Sequence, residues 1–254
     1  MGLFGRSTFL DPDIEDWSFE TWEWLMRRLG GVSRLTRTPL VTPTKDFFPT
    51  TTAHGHERAL HVLDCVRTAL DMSETACDLR PGDGGAESVV MGEYGSAKDS
   101  RQSDGQSITE GDTFVIFYAP ELVDDPVRLV TVLGHQLCLR LLADLKEEPP
   151  GGVEVIDLTA DLTLAYKGLG VFGANAAFDF KAAGWRGRGW SASYCGFLSE
   201  ETWALAIAIF LELSARRGQA RPWLEPTVED LTKDAERYLT KTGAAKLARL
   251  SALY

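Results

Sequence analysis

No two cysteines in this chain are spaced C-x-x-C. Cys65, Cys77, Cys138 and Cys195 are scattered instead. That excludes a zinc finger and reads as free thiols in a reducing cytoplasm. A long apolar run is missing too. The longest, WALAIAIFLEL from Trp203 to Leu213, falls well short of the roughly 20 residues of a bilayer span. Positive charge is scarce: 26 Lys and Arg stand against 37 Asp and Glu, a net charge of −11. Phosphate recognition needs concentrated cations, so neither nucleic acid nor an anionic membrane surface is an expected partner. The N-terminal stretch MGLFGRSTFLDPDIEDW turns acidic before any apolar core develops, which makes a poor secretory signal. Arg6 stands where a myristoylation pattern requires Ser or Thr. These absences point to a cytoplasmic protein. With 44% apolar and 25% charged residues, the composition is that of a globular chain. A length of 254 residues suits one domain, 1–254, with a substantial core.

What is present divides into two halves without internal repeats. DPDIEDWSFETWEWLMRRLGG reads as a helix, acidic at its start, with Arg27 and Arg28 at its end and Gly30 to close it. Trp17, Trp22, Trp24 and Leu25 supply bulk for packing. TPLVTPTKDFFPTTT, with its three prolines, is expected to be extended. HERALHVLDCVRTAL follows as a second helix, with Leu60, Leu63, Val66 and Leu70 near helical spacing. The next region offers short β-prone pieces at Cys77–Leu79, Val89–Met91 and Thr113–Tyr118. A small antiparallel sheet is expected there, with a mobile loop over about 95–107. From Pro120 onward, helices are expected near 126–145, 153–167, 199–217, 227–240 and 243–252. Ser199 followed by Glu200 and Glu201 is a strong helix start. The fold class is α+β: a small sheet in the N-terminal half and a mainly helical C-terminal half.

The chemistry gathers in VLGHQLCLRLL, Val132 to Leu142. Zinc hydrolases commonly use H-E-x-x-H, because residues i and i+4 share a helical face and two imidazoles can grip one ion. The intervening Glu then takes a proton from the metal-bound water. Here His135 holds the first position, Gln136 replaces the Glu and Leu139 replaces the second His. The next expected helix carries Asp157 and Asp161, again at i and i+4. An amide cannot accept the proton, and a general base is worth about 10²–10⁴-fold in rate. Leucine has no lone pair for a metal.

The runs DPVRLVTVLGHQLCLRLL, VIDLTADLTLAYKGLGVFGANAAF and GFLSEETWALAIAIF resemble, in that order, a poorly characterised group of bacterial proteins. FLDPDIEDWSFETWEWLMRRLGG and TPLVTPTKDFFP extend the resemblance over most of the chain. Members of that group carry a H-E-L-x-H helix, an acidic T-D-L helix, a G-x-G-[VI]-F turn followed by Asn, and a G-[YF]-L-S-E helix start. Their H-E-x-x-H element makes them similar to zinc metallopeptidases. The resemblance implies metallopeptidase-like central helices, with His135 as the first ligand and Asp161 at the acidic position. Asp157 would be a shortened carboxylate where relatives carry Glu. His135, Asp157 and Asp161 are then vestigial metal candidates, and the degenerate positions Gln136 and Leu139 leave no catalytic residue.

Plainer readings stand beside these. His135 can be a core histidine bonded to a neighbour, Asp157 an N-cap, and Asp161 a buried acid needing an Arg or His partner. Cys138 can replace the lost ligand or be a buried thiol. His54, His56 and His61 can share a metal or simply lie on the surface. GLGVFGAN follows a helix, not a strand, so it is no dinucleotide loop and reads as a tight turn. GWRGRGW, Gly184 to Trp190, is either an exposed binding loop or a connection. The expected function is that of a degenerate, non-catalytic metallopeptidase-like protein with a binding or regulatory role, its partner a protein or peptide, and no cofactor. The alternatives are a zinc enzyme with an unusual His/Asp site and a purely structural or interaction protein.

Overall fold

The computed structural model describes residues 8–82, 105–110, 113–182 and 198–253. Its elements are α1 (Pro12–Leu29), α2 (Gly31–Leu35), α3 (Gly55–Leu70), β1 (Cys77–Pro81), β2 (Gly105–Glu110), β3 (Thr113–Tyr118), α4 (Pro126–Asp144), α5 (Ile156–Tyr166), α6 (Gly170–Ala182), α7 (Glu200–Leu213), α8 (Pro226–Leu239) and α9 (Ala244–Ser251). This is an α+β fold, with the small sheet in the N-terminal half.

Local chemistry sets the boundaries of α1. The Asp11 side chain accepts from Asp13 N, Pro12 opens the helix, and Gly30, at φ 121°, closes it. Trp22 and Leu25 are fully buried. Trp17 and Trp24 are only partly covered, and their indole N–H groups donate to Pro150 O at 3.0 Å and Glu147 Oε1 at 3.2 Å. On α3 the buried face runs through Ala59, Val62, Leu63, Val66 and Leu70. Leu60, expected inside, is 38% exposed, since it lies one residue, about 100°, from Ala59 on the helix.

The sheet is mixed, a correction to the expected antiparallel arrangement. Its order is β1-β3-β2, with β3 in the centre. β2 runs antiparallel to β3, Glu110 facing Thr113 across the two-residue link between the strands. β1 runs parallel to β3, with Cys77 beside Phe114 and Leu79 beside Ile116. A parallel pair cannot be joined by a tight hairpin, and β1 and β3 are well separated in sequence, with β2 between them. Residues 105–107, expected in the mobile loop, belong to β2. The rest of that loop, and the β-prone piece Val89–Met91, lie outside the described residues.

The larger correction concerns GLGVFGAN. Only its first residues turn, and from Gly170 the chain forms α6, which buries Val171, Phe172, Ala174 and Ala176. Its glycines hide a helix by weakening propensity. Packing requires one of them: a Cβ at Gly173 would stand 2.3 Å from the Trp203 ring of α7. Helix α7 stops at Leu213, short of the expected 217, because Ala215 adopts a left-handed φ of 58°.

Asn175 of α6 acts on the chain before α8. Its Nδ2 donates to Trp223 O at 2.8 Å, and its Oδ1 accepts from Glu225 N at 3.0 Å. Replacing it with Ala strands two backbone groups. Asn175→Ala is expected to cost about 1–3 kcal/mol, read as a lower urea midpoint at unchanged m-value.

Candidate functional site

Helices α4 and α5 pack closely because Gly134 leaves room for Leu164. A Cβ at Gly134 would stand 2.6 Å from Leu164 Cδ1. That approach brings the residue after Gly134 against the α5 residue one turn before Leu164. His135 Nδ1 lies 2.8 Å from Asp161 Oδ1. Asp161 is fully buried, and its second oxygen accepts from Leu198 N at 3.3 Å, just ahead of the Ser199 cap of α7. One carboxylate therefore ties three helices together.

Asp157 faces the other side of the ring. Its Oδ1 stands 3.4 Å from His135 Nε2, an ion-pair distance longer than a well-made hydrogen bond. The N-cap alternative for Asp157 does not hold: Val155 is the cap residue, and Asp157 lies inside the first turn of α5. There its charge also meets the positive end of the helix. The Asp157 side chain is 33% exposed, against 6% for His135, so it forms the outer edge of the cluster.

Two opposing effects set the imidazole's charge. Burial, the larger single effect, disfavours protonation. The hydrogen bonds and charges of Asp157 and Asp161 together outweigh it and raise His135 from 6.5 to about 9. The raised value favours an imidazolium between Asp157 and Asp161 at neutral pH.

The sequence-predicted candidates thus meet, but not as ligands of one ion. A metal at Nε2 would face His135 and Asp157, while Asp161 holds the opposite ring nitrogen. Leu139 presents half-buried carbon where the second imidazole would stand. Among the described residues no group of three or more His, Cys, Asp or Glu side chains is arranged for a metal. The cluster does not fit zinc, and the buried Gln136 is an amide with no base character.

The other candidates go separate ways. Cys138 is fully buried, and burial pushes its thiol far above the ordinary range, which makes it inert. His56 stacks on Tyr118, with Nδ1 3.1 Å from the hydroxyl. His61 Nε2 lies 3.0 Å from Pro49 O, and His54 only precedes α3. The loop GWRGRGW lies outside the described residues. Sequence reasoning missed the Leu198 N–H. A backbone donor leaves no side-chain signal; only the helix-start motif around it does.

Among the described residues no helix is long and apolar enough to cross a membrane. No family model matches the chain. Neither the curated proteins nor the solved structures contain a match. The likeness to metallopeptidases rests on the quoted motifs alone.

Proposed function

We propose that this chain is a metallopeptidase-like protein without peptidase activity, whose former zinc face has become an internal ionic brace. The observation that carries this is the division of His135 between Asp161 on Nδ1 and Asp157 on Nε2. A protonated ring with a carboxylate on each side stabilises helix packing and has no lone pair left for a metal. With Gln136 and Leu139 in place of base and ligand, the role left to the domain is binding a protein or peptide.

Zinc uptake tests this. Untagged wild-type protein should carry well under one zinc per chain, and added zinc should hardly move its Tm. The variant Gln136→Glu with Leu139→His rebuilds the H-E-x-x-H face and should gain zinc, with a Tm that rises on its addition. Stoichiometric zinc in wild type, lost in His135→Ala, would favour an active metal site instead. A folded double variant that takes up no zinc would reduce His135 to an ordinary core histidine.

A further inference from the structure

Acidic residues are unevenly spread over this anionic chain. None stands between Glu23 and Asp46, a stretch that holds Arg27, Arg28, Arg34, Arg37 and Lys45. None stands between Glu212 and Glu225 either, a stretch that holds Arg216, Arg217 and Arg221. The fold joins these two stretches. Arg216 Nη2 donates to Thr36 O at 3.1 Å, and its Nη1 donates to Ser214 O, also at 3.1 Å.

Most of these cations are already matched. Arg27 pairs with Glu23, Arg28 with Glu147, and Arg34 with Asp71. Arg217 and Arg221 share Glu236, and Arg217 also meets Glu212. Arg216 is different. Two backbone carbonyls fix its plane but bring no charge, and the guanidinium keeps further N–H donors. Arg37 follows Thr36 directly and is exposed. Neither Arg37 nor Arg216 has a carboxylate partner among the described residues.

We infer that Arg37 and Arg216 form a docking point for a carboxylate-rich peptide segment of a partner protein. A guanidinium held in plane is prepared for bidentate contact with a carboxylate, and it loses little freedom on binding. The exposed Arg37 beside it takes a second carboxylate of the same segment. A long polyanion is disfavoured, because the rest of a chain of net charge −11 repels it. A short acidic peptide meets only the local positive surface. This surface involves none of the residues around His135, so its failure would leave the brace untouched.

The test is fluorescence anisotropy with a labelled hexaglutamate peptide at low salt, using the full chain. Binding is expected to weaken at least about tenfold in Arg37→Glu and to recover in part in Arg37→Lys. Raising the salt should weaken it as well. Arg27→Glu makes the same charge change beside Glu23 and should leave affinity within about twofold. Circular dichroism confirms that each variant is folded. The inference is overturned if the peptide does not bind, or if Arg27→Glu weakens binding as much as Arg37→Glu. Tighter binding of an oligodeoxythymidylate of equal length through Arg37 also overturns it.

Discussion

Asp161→Ala is expected to lower folding stability by about 3–5 kcal/mol, the usual cost of removing one member of a buried ion pair. The side chain is fully buried, and its partners include the His135 ring at 2.8 Å and Leu198 N at 3.3 Å. Without it the ring loses its shortest carboxylate contact, and the one to the partly exposed Asp157 is longer, at 3.4 Å. Asp161→Asn should cost less, because an amide oxygen still accepts from the ring while its NH₂ cannot accept from Leu198. Urea denaturation of the two variants should therefore rank wild type above Asn above Ala. Equal stability of all three would remove the brace from the account.

Glu15→Ala should be comparably damaging, again about 3–5 kcal/mol. Glu15 lies in the first turn of α1, yet its carboxylate is fully buried. It accepts from Phe9 N at 2.6 Å, Leu10 N at 3.2 Å, Tyr238 Oη at 2.6 Å and Lys246 Nζ at 2.7 Å. The start of the described chain, α8 and α9 thus meet on one side chain. Lys246 retains Asp16 when Glu15 is removed, whereas the hydroxyl and two amides lose their acceptor. Hydrogen exchange should rise first in residues 9–10 and in α9, ahead of α4 and α5. Uniform loss of protection would mean that Glu15 is not a local clamp.

Glu15 and His135 give stability a dependence on pH with two edges. For Glu15, burial raises the carboxyl, but bonds from Lys246, Tyr238 and the two backbone amides outweigh it and lower it below 4.5. A lowered carboxyl stabilises above its unfolded value, and that gain is lost as pH falls through the folded one. His135 is raised, so its contribution is complete below 6.5 and fades as pH rises through about 9. Wild type should lose Tm between neutral and mildly alkaline pH, and His135→Gln should lose less over that interval.

How far the sequence revealed the molecule depended on the range of the interaction. Helix α1 was readable because Asp11, Pro12, the terminal charges and Gly30 act within a few residues of where they stand. The His135–Asp161 meeting was legible only through the resemblance, which implies that both positions lie near one ion. Helix α6 was not, since its glycines are there for contacts such as Gly173 on Trp203, which local propensity does not report. Nor was the parallel β1–β3 pair, since strand direction leaves no mark in the local pattern of either strand. Glu15 was hidden among Asp13 and Asp16. Its partners Tyr238 and Lys246 lie 223 and 231 residues away, so nothing nearby marks it as the buried acid.

The most direct measurement is nuclear magnetic resonance of the His135 ring, labelled with nitrogen-15 and assigned by comparison with His135→Gln. The account predicts that both ring nitrogens carry protons at neutral pH, with a titration midpoint near 9 that falls in Asp161→Asn. A single protonated nitrogen at neutral pH, with a midpoint at or below the ordinary 6.5, would contradict it.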